Sequence, residues 1–154
     1  MNKHTVTAER FEPDKTGEKT PSFERRVAEY CFAFMLGAGI YSLLEVSWRG
    51  FTHWTMTLTG GVCCCFLWMI ANFGDNFRFL HLPLRCLLAT LAITAAEFSV
   101  GCLVNLSLHW NVWDYSAVPG NLLGQICPRY AALWLLLSIP GILLCRGLKK
   151  WCFD

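Results

Sequence analysis

Four stretches of this chain, 27–48, 54–73, 84–106 and 130–145, are almost unbroken runs of apolar residues, and nearly every cluster of charge falls between or outside them. A water-soluble domain of this length disperses its apolar residues with helical or strand periodicity, whereas blocks of this kind are built to lie in hydrocarbon. The first block has 22 residues; as a helix it would be about 33 Å long, enough to cross a hydrocarbon core about 30 Å thick. The second carries no charged residue, and the third holds only Arg85 at its start and Glu97 inside. The fourth is shorter and contains Pro140, so residues 122–127 before it are expected to lengthen its buried part. The chain therefore reads as an all-α, polytopic membrane protein: a four-helix transmembrane bundle in the lipid bilayer.

Composition agrees, with 55% hydrophobic and only 16% charged residues. A formal charge of +2 and no basic run interleaved with aromatics leave no footprint for nucleic acid. Cys31, Cys63, Cys64, Cys65, Cys86, Cys102 and Cys145 lie inside apolar blocks, where cysteine is usually a small hydrophobe, and no pair has C-x-x-C spacing. No metal and no cofactor is implied. Residues 1–26 mix both signs of charge with Thr and Pro and read as a disordered tail, with 27–154 as the transmembrane domain. No signal-peptide pattern follows that tail, so the first apolar block is expected to be retained.

Basic residues near span ends stay on the cytoplasmic side. With four spans, Lys3, Arg10, Lys15, Lys19, Arg25, Arg26, Arg78, Arg85, Arg146, Lys149 and Lys150 fall on one side, against Arg49 and Arg129 on the other. Both termini are thus expected in the cytoplasm, in a multi-pass protein of the cell membrane. Trp48, Trp54, Trp110, Trp113 and Trp151 sit near the expected span ends, where indole favours the headgroup region.

Glu97 is the residue that most constrains function. It lies about 18 Å along the third helix from Arg85, and an acid at such depth costs about 2.5–3.5 kcal/mol on insertion scales. Thr90, Thr94, Glu97, Gly101 and Asn105 recur at spacings of three and four, which places them on one stripe facing other helices. Such a stripe serves either as interhelical glue or as a substrate, ion or proton site. Glu45 and Arg49 have the i,i+4 spacing of a local ion pair, yet Tyr41, Glu45 and Trp48 share a face that could turn the acid into the bundle. His53 opens the second helix on the same side and could carry a proton near neutral pH. The long connection 107–128 carries Trp113-Asp114-Tyr115-Ser116, Pro119-Gly120-Asn121 and Gly124-Gln125-Ile126-Cys127. Polar side chains in this pattern could satisfy irregular backbone at membrane depth, so the outer loop is expected to be partly re-entrant or interfacial. Asn105-Leu106-Ser107 matches a glycosylation acceptor, but its place at a helix end argues against that use.

Trp113-Asp114-Tyr115-Ser116 followed by 121–127 (Asn-Leu-Leu-Gly-Gln-Ile-Cys) resembles the signature of the family described as putative ABC-transporter type IV, or CmpB-like. Glu45, Arg49-Gly50-Phe51 and Glu97-Phe98 with Gly101 resemble its other marked positions in the same order, over 28–134. Where longer members carry Asn before the Arg-Gly-Phe triplet and Gly-Pro after it, this chain has Trp48 and Thr52-His53, and Gln125 stands where the last motif commonly has Arg. The resemblance implies a transport permease. No G-x-x-x-x-G-K-[ST] phosphate loop occurs, so ATP hydrolysis would come from a separate subunit.

The leading expectation is a permease-like or small-molecule-binding subunit with an outward-facing polar pocket formed by Glu45, Arg49, His53, Glu97, Asn105, Trp113, Asp114, Tyr115, Ser116, Asn121 and Gln125. Four helices are few for a transport path, so a homo-oligomer or a partner subunit is expected. The alternatives are an integral-membrane enzyme acting on a lipid-linked or outer-face substrate, for which no catalytic motif is present, and a structural or regulatory partner of another membrane protein.

Overall fold

The computed structural model describes residues 22–72 and 81–153. Helix α1 spans Phe23–Arg49, α2 Trp54–Ala71, α3 Leu82–Gly101 and α4 Pro128–Cys152. The third helix continues as a π-helical segment, Cys102–Ser107, and each of the four is long and apolar enough to cross a membrane. Large apolar side chains such as Met35, Leu43 and Leu136 stand exposed on the bundle's surface, as hydrocarbon rather than water requires.

Local sequence sets the boundaries. Ser22 accepts a hydrogen bond from the Arg25 amide at 3.3 Å and caps α1, satisfying one of the donors a helix start leaves open. The first turn of α1 thus lies within the stretch expected as tail, and residues 1–21 of that tail fall outside the described residues. At the other end Gly50 adopts a left-handed conformation, φ 79°, and returns its amide to the Val46 carbonyl. His53 caps α2, and proline opens both α3 and α4, where its missing N–H costs nothing.

The fourth span differs from its expected extent. Residues 122–127 do not extend it; Leu122 and Ile126 form an isolated antiparallel bridge instead. The helix gains length at its far end and runs on to Cys152. Pro140 lies inside it without ending it, as transmembrane helices tolerate.

Helix α1 packs along α2, α2 meets α3 and α4, and α3 meets α4, whereas α1 and α4 are not closely packed. Small residues create the tightest seam. A Cβ on Gly37 would stand 2.1 Å from Cys64 Cβ and 2.6 Å from the Gly60 carbonyl, so α1 and α2 approach to a distance only glycine permits. Two clusters fill the interior. Ala33, Trp68, Ala71, Cys86, Ala89, Ile142 and Cys145 pack toward the end bearing the termini, and Met56, Val104, Val112 and Trp113 pack toward the loop end.

At the terminal end Glu29, 5% exposed, is met by Arg25 at 3.3 Å, Lys149 at 3.6 Å and the Trp68 indole N–H at 3.4 Å. Phe32 and Phe153 meet edge to face beside it, 5.8 Å between centroids. Arg85, counted above with a cytoplasmic loop, is buried. Its guanidinium donates to the Ile70 and Ala71 carbonyls at 2.9 Å each, closing the open end of α2.

Candidate functional site

The loop end of the bundle contains a cleft of about 480 Å³. Tyr41, Glu45 and Arg49 reach it from α1, Met56 from α2, Glu97 from α3, Trp113, Asp114 and Tyr115 from the loop, and Tyr130 and Trp134 from α4.

Glu97 is buried, 7% exposed. One oxygen accepts the Trp134 indole N–H at 2.8 Å; its second oxygen has no hydrogen-bond partner among the described residues. Glu45 is equally buried but tied on both oxygens, to Arg49 Nη1 at 2.8 Å and to the Thr52 hydroxyl at 2.5 Å. The local ion pair and the inward-facing acid therefore hold together, since the paired Glu45 lines the same cleft as Glu97.

Arg49 also gives Nη2 to the Val112 carbonyl at 2.7 Å, and its guanidinium lies 4.7 Å from the centre of the Phe51 ring. The physical sense of the Arg49-Gly50-Phe51 triplet follows. The left-handed glycine ends the helix and folds phenylalanine back beneath arginine, which then ties α1 to the loop.

The loop is fastened from below. Asn105 accepts the Val112 amide at 2.7 Å and donates to Gln125 Oε1 at 2.8 Å, and the Trp113 indole donates to the Gln125 carbonyl at 2.9 Å. Gln125 Nε2 donates to Leu123 O at 2.9 Å, so the glutamine is bound at both ends of its amide. These groups sit on Gly101, where a Cβ would lie 2.6 Å from Gln125 Oε1 and 2.9 Å from Trp113 Cζ2. Glycine at that point lets the loop descend onto α3.

Higher in the loop, Asp114 accepts the Ser116 hydroxyl at 2.6 Å and the Ser116 amide at 2.8 Å. These bonds, the hydroxyl's foremost, hold its carboxyl below the ordinary aspartate range. Asn121 donates to the Ser116 and Val118 carbonyls and accepts the Gly124 amide. Tyr115 stacks on Tyr130 at 4.7 Å, and burial, then the Glu97 charge, raise its hydroxyl above the usual tyrosine value.

Of the residues expected from sequence, the cleft gathers Glu45, Arg49, Glu97, Trp113, Asp114 and Tyr115. Asn105, Ser116, Asn121 and Gln125 shape the loop that roofs it. His53 is not among the lining residues: its Nδ1 is held to the Thr55 hydroxyl at 2.7 Å and its ring joins Trp54 and Trp110 in an aromatic cluster. Trp113, expected as a headgroup anchor, is buried beneath the loop. The α4 wall, Tyr130 and Trp134, was not among the expected site residues, although the i,i+4 aromatic spacing marks it. Trp134 is also stacked on Tyr41 of α1, 6.0 Å apart at 24°.

Three carboxyl groups, Glu45, Glu97 and Asp114, and one guanidinium, Arg49, thus line the cleft with six aromatic residues. Aromatic faces and an open carboxyl oxygen are groups that can meet a cation or a hydrogen-bond donor. Among the described residues, no group of three or more His, Cys, Asp or Glu side chains is placed to hold a metal ion.

A family model described as putative ABC-transporter type IV matches residues 30–152. No curated protein and no solved structure matches the chain.

Proposed function

This chain belongs to the putative ABC-transporter type IV family, and on that premise we propose that it is a permease-like, small-molecule-binding membrane subunit whose ligand site is the cleft at the loop end. The single observation that carries this reading is the untied oxygen of Glu97 in a cavity of about 480 Å³. A carboxyl group serving only to join helices would be spent on its neighbours, as Glu45 is; Glu97 keeps half its acceptor capacity toward open space. An intramembrane acid so placed marks a ligand or ion path by default, and the aromatic walls favour an ammonium group.

The basic-residue asymmetry supports cytoplasmic termini, which would turn the cleft outward, with the loop as a partly re-entrant cap. Energy coupling would come from a separate ATPase subunit, and the transport path from association with that partner or a second copy. The enzyme reading has less to draw on. His53 is held away from the carboxylates, and Arg49 is already committed to Glu45 and the Val112 carbonyl.

The test is ligand-induced thermal stabilisation of purified protein across primary, quaternary and poly-amines, with matched neutral alcohols. At least one amine is expected to raise the unfolding midpoint of the parent, and Glu97→Gln to abolish the rise while remaining folded. No stabilisation of the parent, or an undiminished rise in Glu97→Gln, would reject the site.

A further inference from the structure

A second cavity, of about 430 Å³, opens between α1 and α4, which are not closely packed. Its walls are almost wholly apolar, with Leu36 and Ile40 on one side and Leu144 on the other. Ser138 turns its hydroxyl back to the Trp134 carbonyl at 2.8 Å. Tyr41, Leu44, Trp134 and Leu137 line both this groove and the cleft, so the two spaces meet at the Tyr41–Trp134 stack.

We infer that the α1–α4 groove holds the hydrocarbon chain of an amine-bearing membrane lipid whose headgroup lies in the cleft at Glu97. The inference deepens the reading of the cleft as a ligand site and rests on it.

The dimensions fix the kind of occupant. Along α4 the groove runs from Trp134 to Cys145, about 16 Å at 1.5 Å per residue, close to half of a hydrocarbon core about 30 Å thick. That is the length of one lipid chain, and it starts below the headgroup region, since Trp134 lies six residues, about 9 Å, inside the loop end of α4. The groove is continuous with the polar cleft, so one alkyl chain can lie in it while its polar end reaches Glu97. Any opening to the bilayer fills with hydrocarbon, so selectivity must come from the polar end. There the open Glu97 oxygen and the aromatic rings favour an ammonium over a purely anionic head.

The experiment follows the unfolding midpoint of the protein in maltoside micelles with three probes: lysophosphatidylethanolamine, lysophosphatidylglycerol at equal mole fraction, and water-soluble phosphoethanolamine. Leu144→Trp and Ile40→Trp fill the groove from half-exposed positions that do not line the cleft, and having both guards against one failing to fold. Lysophosphatidylethanolamine is expected to raise the parent's midpoint clearly above the effect of lysophosphatidylglycerol. Either groove variant is expected to lose at least half of that rise and to keep the response to phosphoethanolamine. An equal response to the two lysolipids would overturn the head selection. A full lysophosphatidylethanolamine response in both groove variants, with phosphoethanolamine still active, would overturn the groove and leave the cleft reading standing. Silence from all three probes on the parent would overturn both.

Discussion

Trp134 on α4 gives its indole N–H to Glu97 on α3 across 2.8 Å, while its ring lies against Tyr41 on α1. One side chain thereby joins three helices at the point where the polar cleft meets the apolar groove. The two contacts are separable, because phenylalanine keeps a ring and loses the donor. Trp134→Phe should therefore destabilise the bundle by about 1 kcal/mol, between the average of about 0.6 and the maximum of about 1.7 kcal/mol for interhelical hydrogen bonds in membranes. A double-mutant cycle with Glu97→Gln, read by reversible unfolding in bicelles, should show coupling between the two positions. Additive losses would mean that the hydrogen bond contributes nothing.

Gly101 is the floor on which the loop rests. A methyl group there collides with Gln125 Oε1 and Trp113, so Gly101→Ala should cost about 1–3 kcal/mol by overpacking and lift the loop. Cys127, 4% exposed at the end of that loop, would then become reactive. Site-resolved mass spectrometry after maleimide labelling should find Cys127 protected in the parent and labelled in the variant, with exposed Cys152 as the internal reference.

Asp114 supplies a pH dependence whose sign is fixed by its partners. Its carboxyl in the folded loop titrates below the ordinary value, because the Ser116 hydroxyl and amide favour the charged form. The contribution to loop order is thus fully present above the unfolded aspartate value of about 3.9 and is lost as pH falls through the lower folded one. Limited proteolysis of the loop should be flat from neutral pH down to about 5 and should rise only below about 4. Ser116→Ala should move the onset to higher pH. An onset that stays in place would show that Ser116 does not set the titration.

At the opposite end, Glu29 bridges α1 to α4 through Lys149 and to α2 through Trp68. Glu29→Gln can retain the indole bond but loses both charge pairs. Arg25 and Lys149 are partly exposed, so screening limits the loss to about 1 kcal/mol or less. Unfolding at low and high ionic strength should show the parent's advantage shrinking with salt. A salt-independent difference would assign the effect to packing.

The spans were legible because hydrocarbon imposes a length and a composition that a chain cannot disguise. Helix ends were less so. Arg146, Lys149 and Lys150 read as a polar end to α4, yet the helix carries them on to Cys152, since charged side chains can leave the bilayer while their backbone stays helical. Within the site, Glu97, its stripe and the Glu45–Arg49 pair followed from helical spacing alone. What spacing does not convey is which distant segments meet. Nothing local to Gln125 says that it sits on Gly101, 24 residues earlier in the numbering. Likewise nothing near Glu29 points to Lys149, and the motif of Trp113 through Ser116 does not by itself say that its first three residues line the cleft while Ser116 holds the Asp114 carboxyl. His53 shows the converse, a residue near in sequence whose ring is held by Thr55, Trp54 and Trp110 instead.

Glu97 faces an occupiable cleft with one oxygen free. A high-resolution structure determined in lipid nanodiscs measures this directly. Resolved density is expected within hydrogen-bonding distance of that oxygen, between the Tyr41–Trp134 stack and the Trp113–Tyr115 roof. A collapsed cleft in which protein side chains take up both oxygens, or a Glu97 side chain turned to the acyl chains, would contradict it.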